Sequence, residues 1–441
     1  MPDIFCARRK RVAPDVRQCA RCRRSEHALS EHHADYQHDE EDRHRDEEQH
    51  FRDYPAATRM NASDIVDSYD ASAPLAEAYT LPASWYVDSE IAALEQQAVF
   101  GRNWQVAGRV DQLRERGQYV TAEVGGEPVV VVRGDDGELL AFFNVCRHHA
   151  AAVVVTACEG RAEELRCPYH GWTYALDGRL KGAPHFSGVC NFSLEQNGLV
   201  PLNVQSWENW VFVRVGASGI PLADFLGAAL IEQIPALRIA QLTWLERRSY
   251  FLDCNWKVYV DNYLDGGYHV AHLHKELDGV LEPGQYSIEN GERFCLQSSP
   301  LRKVAATPGS PSAPVRTGER ALYYWLYPNF TINWYDGIMD TNLVVPLGID
   351  RTEVIFDYYF ANASLSGREL RDASIAVSER IQDEDAAICR SVQRGLQSRS
   401  YTAGRLSVRR EAGEHLFHRL LHADLKAGLQ QNAMRMQRAG A

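Results

Sequence analysis

Two short motifs decide how this sequence is interpreted: Cys146-Arg147-His148 and Cys167-Pro168-Tyr169-His170. Eighteen residues separate them, and together they supply two thiolates and two imidazoles. Two sulfur and two nitrogen ligands suit either a tetrahedral zinc ion or a [2Fe–2S] cluster with histidine ligands on one iron. Zinc ribbons normally use a Cys-x2-Cys pair in each loop, and these motifs do not. The spacing therefore favours the iron–sulfur cluster over zinc.

The cluster that this spacing indicates is a Rieske centre. Cys146 and Cys167 would hold its inner iron, and His148 and His170 would hold the outer one. Imidazole ligands raise the reduction potential well above that of an all-cysteine cluster, so the site can accept electrons from ferredoxin-like donors. His149 could be mistaken for a ligand, but its adjacency to His148 favours a supporting or surface position.

The composition of the chain limits its class. The 441 residues suffice for two domains, and the formal net charge of −12 argues against nucleic acids and anionic membranes as partners. We find no run of eighteen apolar residues and no apolar signal segment at the N-terminus. Ten cysteines without a regular framework, together with a thiolate-bound cluster, predict a cytoplasmic location.

The start of the chain differs sharply from the rest. Residues 26–53 consist mostly of Glu, His, Asp and Arg, which predicts a disordered tail over residues 1–60. Cys19 and Cys22 with nearby histidines suggest zinc, but no apolar framework surrounds them and a solvated tail is the preferred interpretation. An over-long start is an alternative explanation of the tail, because Met60 begins more ordinary sequence.

The remaining sequence predicts an α+β protein. Short β-like runs separated by glycine turns follow one another from Trp104 to Val215, so we assign a small antiparallel β domain with the cluster to residues 103–215. Residues 216–441 mix helical and strand patterns, which predicts a larger catalytic domain with an antiparallel sheet and helices. Residues 61–102 are expected to form an N-terminal segment that packs on this larger domain.

A second candidate metal site lies around His269. His269 and His272 would share one face of a regular helix, whereas His269 and His274 lie about 140° apart around it. The second pair requires the helix to end or distort between them, so the spacing favours neither pair.

A helix around Asp385 suggests a third ligand. Its carboxylate falls within an apolar stripe at helical spacing, formed by Val377, Ile381, Ile388, Val392 and Leu396. Burying a carboxylate is costly unless it pairs with a cation, and a salt bridge to an arginine is as good an explanation as a metal. Two histidines and one carboxylate leave open positions on ferrous iron for O2, and a cluster upstream favours this reading. The neighbours Asp383 and Glu384 are expected to be solvated acids.

In this order, these residues resemble the α subunits of Rieske non-haem iron oxygenases over about residues 75–425, and most of all the choline monooxygenase-like branch. Further motifs carry the resemblance, among them Trp104-Gln105-Val106-Ala107-Gly108, Asp261-Asn262-Tyr263-Leu264-Asp265 and Ser391-Val392-Gln393-Arg394-Gly395-Leu396. The resemblance implies that His269, His274 and Asp385 bind a mononuclear iron, and that Asn262 and Asp265 belong to the catalytic site. It also implies a homotrimer in which the cluster of one subunit serves the iron of its neighbour.

One departure from the family concerns the bridge between the metal sites. Ring-hydroxylating members usually carry an acid three residues before the first iron-binding histidine, where this chain has Gly266. Asp265 is the nearest replacement, with Asp261 behind it. The departure favours the choline-type branch over arene dioxygenases.

The expected substrate is a small quaternary ammonium compound, such as choline, glycine betaine or carnitine, which would be hydroxylated or demethylated. The family resemblance carries this expectation more than the aromatic run from Tyr323 to Tyr335, most of which core packing explains. The chain lacks Gly-x-Gly-x-x-Gly and ferredoxin-type cysteine motifs, so electrons from NAD(P)H would need a separate reductase, with or without a ferredoxin.

Two alternatives remain open from the sequence. The first is the α subunit of an arene or aromatic-acid ring-hydroxylating dioxygenase, which would have a small β subunit as partner. The second is a Rieske electron carrier without oxygenase activity, which predicts that His269, His274 and Asp385 hold no metal.

Overall fold

The computed structural model describes residues 60–155, 158–216, 219–282, 284–302, 316, 318–362 and 367–439. The predicted disordered tail lies outside these residues, apart from Met60. The described residues from Met60 onward belong to one unit.

The first part of this unit is an antiparallel sheet of seven strands, in the order β1-β10-β9-β4-β3-β2-β5, with a small sheet β6-β7-β8 beside it. Val129 to Val132 are fully buried at the centre of this sheet, which explains why that strand is a continuous run of valines. The strands are β1 Gln105–Arg109, β2 Gln118–Val124, β3 Glu127–Arg133, β4 Leu139–Phe143, β5 Glu159–Arg161, β6 Leu165–Arg166, β7 Thr173–Tyr174, β8 Leu180–Gly182, β9 Pro201–Trp207 and β10 Trp210–Arg214.

The second part contains another antiparallel sheet of seven strands, in the order β11-β17-β16-β15-β14-β13-β12. Most neighbouring strands are also neighbours in sequence, so tight turns such as that at Gly337 set the register. The strands are β11 Thr243–Leu252, β12 Ser287–Asn290, β13 Phe294–Pro300, β14 Arg320–Leu326, β15 Phe330–Tyr335, β16 Ile338–Pro346 and β17 Thr352–Phe360.

The helices pack mainly on the second sheet. N-terminal helices α1 to α3 share one hydrophobic core with this sheet and with the C-terminal helix. The helices are α1 Ala62–Asp67, α2 Ser84–Val87, α3 Ser89–Glu95, α4 Leu222–Leu226, α5 Ala228–Gln233, α6 Trp256–Leu264, α7 Val270–Leu273, α8 Lys275–Val280, α9 Arg368–Leu396 and α10 Ala412–Ala439. A π-helical turn covers Gln96–Phe100, and 3-10 turns cover Val110–Gln112, Glu195–Asn197, Ile234–Leu237 and Ile239–Gln241. Two antiparallel sheets with helices on the second confirm the predicted α+β class.

The buried face of α9 differs from the predicted apolar stripe. Ile388 and Val392 are 38% and 43% exposed, so the prediction that they face the core is wrong. The side that is buried is largely polar and includes Arg371, Ser374, Ile375, Ser378, Gln382, Asp385, Cys389, Gln393 and Leu396. Polar partners explain the difference: for example, Gln393 Oε1 accepts a hydrogen bond from the backbone of Asn255, and Gln382 Oε1 accepts one from Tyr259. Hydrophobic periodicity therefore missed the face that packs.

Among the helices in the described part of the chain, none has the length and apolar character needed to cross a bilayer.

Candidate metal sites and cavity

Two loops of the first part present the Cys–His motifs in the same backbone conformation. In residues 146–151 the N–H of Cys146 donates to the carbonyl of Ala151 (2.8 Å), and in residues 167–172 the N–H of Cys167 donates to that of Trp172 (2.8 Å). The fifth residue of each loop, Ala150 or Gly171, has a positive φ of 59° or 74°. We call these segments the cluster loops; because they fold alike, they present their cysteines in equivalent positions.

The predicted ligands of the first site come together at these loops. Cys146 and Cys167 are buried, while the rings of His148 and His170 lie 4.7 Å apart, centroid to centroid, nearer the surface. Trp172 stacks in parallel on the ring of His148, which fixes the orientation of the imidazole. The Nδ1 atom of His148 is buried and has no hydrogen-bond partner among the described residues.

His149 is exposed, and its ring lies beside those of the two histidines predicted to be ligands. Its ring centroid is 4.0 Å from that of His148 and 5.3 Å from that of His170, so the three imidazoles could face one ion. Within the cluster loops it occupies the same fourth place as His170. However, a metal held by the three imidazoles would leave the two buried thiols without a metal. We therefore prefer the ligand set of two cysteines and two histidines.

The donor set at the cluster loops fits a Rieske cluster. Burial raises the pKa of the Cys167 thiol, and the adjacent Cys146 raises it further. A deprotonated sulfur at this place therefore needs a positive partner such as iron. The hydroxyl of Tyr174 lies 3.3 Å from the sulfur of Cys146 and can donate to a thiolate there.

The backbone between α6 and α8 provides the distortion that the pair His269 and His274 requires. α7 ends at Leu273, and the backbone of His274 is not helical, with φ −105° and ψ 70°. The ring centroids of His269 and His274 consequently lie 4.8 Å apart. His272 is exposed to solvent.

Asp385 of α9 completes this second group. Its Oδ1 lies 3.0 Å from Nε2 of His274 and 3.9 Å from Nε2 of His269. The alternative explanation for a buried Asp385, a salt bridge to an arginine, does not occur among the described residues. Two imidazole nitrogens that converge on one carboxylate form a donor set that fits a mononuclear ferrous ion. We call His269, His274 and Asp385 the histidine–aspartate site.

Each side chain of this site has a supporting hydrogen bond: the two histidines through Nδ1, and Asp385 through Oδ1, the oxygen that also faces the histidines. Nδ1 of His269 donates to Asp265 Oδ2 (2.5 Å), Nδ1 of His274 donates to Glu384 Oε2 (2.6 Å), and Asn262 Nδ2 donates to Asp385 Oδ1 (2.8 Å). Carboxylates that bond Nδ1 in this way orient the ring and leave Nε2 for a metal. The pKa of His274 is raised overall. Burial lowers this pKa, but the nearby carboxylates of Asp385 and Glu384 raise it by more.

The expectation that Glu384 is merely a solvated acid is therefore wrong. Glu384 precedes Asp385 by one residue and projects from a different face of α9, which is why the helical pattern excluded it. The ring of His274 reaches Glu384 because the chain around His274 packs along that side of α9.

Asp261 faces a different cluster. Its Oδ1 lies 3.0 Å from Nε2 of the buried His418, and its Oδ2 accepts a hydrogen bond from the hydroxyl of Tyr86 (2.5 Å). Glu414 lies beside them, and burial together with Asp261 raises its pKa. No hydrogen bond from Asp261 to His269 occurs among the described residues, so Asp265 alone supports that ring.

A cavity opens from the histidine–aspartate site between α6, α9 and the second sheet. About 740 Å³ of space, part of it open to solvent, lies between the residues that line it. Five tyrosines dominate its wall: Tyr259, Tyr263, Tyr286, Tyr323 and Tyr335. Of the aromatic run noted in the sequence, Trp325 and Tyr327 instead pack near Phe417, as core packing predicts for most of these rings.

Comparison with known proteins places these sites in context. Residues 103–194 match the family described as the Rieske [2Fe-2S] domain, and residues 239–426 match the ring hydroxylating alpha subunit (catalytic domain). The chain is 39% identical over 374 residues to choline monooxygenase, chloroplastic, of Arabidopsis thaliana, covering 82% of this chain and 87% of the relative. It is 31% identical over 337 residues to the carnitine monooxygenase oxygenase subunit of Escherichia coli (strain K12), covering 74% and 86%.

Solved structures resemble most of the chain. The quaternary ammonium Rieske monooxygenase CntA in complex with its substrate L-carnitine superimposes with a TM-score of 0.70 at 26% identity, covering 84% of this chain and 99% of that one. Naphthalene 1,2-dioxygenase from Rhodococcus sp. superimposes with a TM-score of 0.66 at 21% identity, covering 78% and 94%, which shows a shared fold.

Proposed function

The chain belongs to the family of Rieske non-haem iron oxygenase α subunits, and from this premise we propose that it hydroxylates or demethylates a small quaternary ammonium compound. Membership confirms the predicted oxygenase activity and the predicted pair of cofactors, a [2Fe–2S] Rieske cluster and a mononuclear iron. The hypothesis of an electron carrier without oxygenase activity loses its support.

The tyrosine-lined cavity beside the histidine–aspartate site is the observation that carries the proposed substrate class. Aromatic faces attract quaternary ammonium groups through cation–π interactions. The names of the relatives support the same substrate class, because these proteins are monooxygenases of choline and of carnitine. Choline, glycine betaine and carnitine types therefore remain the proposed substrates.

We assign the two cofactors to the predicted residues. Cys146, Cys167, His148 and His170 would hold the cluster, and His269, His274 and Asp385 would hold the iron. When bound, the cluster supplies single electrons and ferrous iron supplies open positions at which O2 is reductively activated. Overall, one C–H bond, O2, two electrons and two protons give a C–OH group and water. Hydroxylation of an N-methyl group would then release formaldehyde and the demethylated amine.

The role of the protein is positioning. Asp265 and Glu384 keep Nε2 of each imidazole directed toward Asp385, and Asn262 holds the Asp385 carboxylate through Oδ1. Asp265 thus takes the place of the acid that other family members carry at the position of Gly266. The tyrosine wall excludes water and holds the methylammonium group.

We further propose that electrons come from a separate reductase, with or without a ferredoxin, and that the active form is a homotrimer. The lack of nucleotide and ferredoxin motifs in the sequence supports the first point, and the family supports the second. We retain cytoplasm as the proposed location because of the unpaired cysteines, although the plant relatives are named chloroplastic.

A single-turnover reaction tests this function. The holoenzyme is reduced without oxygen and mixed with O2 and one candidate substrate, while cluster reoxidation is followed by visible absorbance and products by mass spectrometry. We expect choline, glycine betaine or carnitine to accelerate reoxidation and to yield a hydroxylated or demethylated product. Acceleration by aromatic acids alone would replace the proposal with the ring-hydroxylating alternative.

A further inference from the structure

Arg316 places a buried positive charge in the wall of the cavity. Arg316 is 6% exposed, and the central carbon of its guanidinium lies 4.6 Å from the centroid of the Tyr335 ring. Nη1 donates to the hydroxyl of Ser374, and Nη2 donates to that of Ser378 (2.9 Å). A guanidinium has five N–H donors, so most of them remain for another acceptor.

The charge of Arg316 has no close counter-ion within the described parts of the chain. No carboxylate oxygen of these residues lies within 4 Å of the guanidinium, and its Nε is buried without a hydrogen-bond partner there. A buried cation without an anion is unfavourable, and a guanidinium recognises a carboxylate particularly well because two parallel hydrogen bonds can form. An anionic group bound in the cavity would neutralise this charge and accept hydrogen bonds from the remaining N–H groups.

Arg316 lies at the end of the cavity away from the histidine–aspartate site. Both serines that hold it are on α9, and Ser378 precedes Asp385 by seven residues, or about 10 Å along the helix axis. One small elongated molecule can therefore contact Arg316 with one end while its other end lies among the tyrosines beside Asp385.

We propose that Arg316 binds the carboxylate of the substrate, so that this enzyme prefers betaines, which carry a carboxylate as well as a quaternary ammonium group, over choline. This inference rests on the proposed function and names the substrate class within it. Choline would bring a second positive charge into the cavity and would offer no carboxylate to the N–H donors of Arg316.

Asp340 is the other charged group at this end of the cavity. It is 4% exposed, and its Oδ2 accepts a hydrogen bond from Asn333 Nδ2 (2.7 Å). Burial raises the pKa of Asp340, while Arg316 opposes this rise. Asp340 lies more than 4 Å from the guanidinium and bonds Asn333 instead, which leaves the remaining N–H donors of Arg316 available to a substrate carboxylate.

The experiment compares each betaine with its own methyl ester, which removes the negative charge and leaves the trimethylammonium group in place. Glycine betaine, γ-butyrobetaine and their methyl esters are titrated into the anaerobic holoenzyme by calorimetry, and kcat and KM are measured with the reductase. We expect the wild type to favour the acids about ten- to a hundredfold, as a charge-assisted pair would give. Arg316→Gln should remove this preference by raising the Kd and KM of the acids, with little change for the esters.

Two variants keep the test decisive. Arg316→Lys retains the charge but loses the forked geometry, so it should keep part of the preference even if Arg316→Gln folds poorly. Arg320→Gln removes an arginine that instead donates to Ser298 outside the cavity, and should leave the preference unchanged. Equal efficiency of acids and esters in the wild type, or an unchanged preference in Arg316→Gln, would overturn the role of Arg316 while leaving the proposed function intact. If no quaternary ammonium compound gives product, the proposed function itself fails.

Discussion

The two metal sites differ in how far apart their ligands lie in the sequence. The cluster loops supply four candidate ligands within 25 residues, from Cys146 to His170, and both loops carry their own backbone hydrogen bonds. The histidine–aspartate site joins His274 to Asp385 across 111 residues. The first site is therefore built mainly by local structure, whereas the second exists only when the segment that follows α6 packs against α9. The two sites should respond differently to substitution.

The largest expected effect is at the ligand that comes from the distant helix. Asp385→Ala should abolish product formation and remove the mononuclear iron, because two imidazoles alone hold ferrous iron weakly. The visible spectrum of the cluster should stay unchanged, since the cluster loops do not depend on α9. Iron analysis would therefore fall from about three to about two atoms per chain. Asp383→Ala, an exposed acid two residues earlier, is the matched control; a third iron retained in Asp385→Ala would contradict the site.

The reciprocal change tests whether the cluster loops act alone. Cys167→Ser should bleach the visible spectrum of the cluster and stop multiple turnover, since Cys167 is one of two buried thiols at that site. The mononuclear iron should remain bound, with about one iron per chain by analysis. Cys190→Ser changes an exposed cysteine and should keep the full spectrum. Loss of both metals in Cys167→Ser would show that the two sites are not independent.

An intermediate effect is expected at the acids that support the histidines. Glu384→Gln and Asp265→Asn should each weaken binding of the mononuclear iron about ten- to a hundredfold, because the carboxylates that orient His274 and His269 are lost. Competition with a chelator, followed by iron analysis, measures this change. Asp383→Asn should leave the affinity unchanged. Equal affinities in all three variants would mean that Glu384 does not support His274.

The smallest expected effect concerns the backbone of the cluster loops. Gly171→Ala should lower the free energy of unfolding by about 1 kcal/mol, because an L-residue with a φ of 74° is strained. The added methyl group would meet Pro184 only at an ordinary contact distance of 3.7 Å, so the backbone and not a clash is the cause. Gly182→Ala, with nothing within 4 Å of the new atom, is the control. Thermal unfolding of both variants gives the comparison, and equal midpoints would contradict the strain argument.

Errors at the second site have a common physical origin. Hydrophobic periodicity on α9 predicts an apolar packed face, but that face meets Asn255 and Tyr259 and is largely polar, so the predicted burial of Ile388 and Val392 is wrong. Helical spacing gives the direction of Glu384 relative to Asp385 and no information on which side chains lie there. Asp261 lies close to Asp265 in the sequence, yet packing against α10 directs it toward His418.

The sequence by itself determined the cluster loops, the α+β class and the family, because ligand type and short-range spacing survive in any fold that keeps the motif intact. It also supplied the three members of the histidine–aspartate site, although spacing alone did not choose His274 over His272. Only the tertiary structure decided that His272 faces outward, that Glu384 holds His274, and that Arg316 enters the tyrosine cavity. These contacts join residues 58 to 111 positions apart, and a one-dimensional pattern does not encode which surfaces meet once the chain is packed.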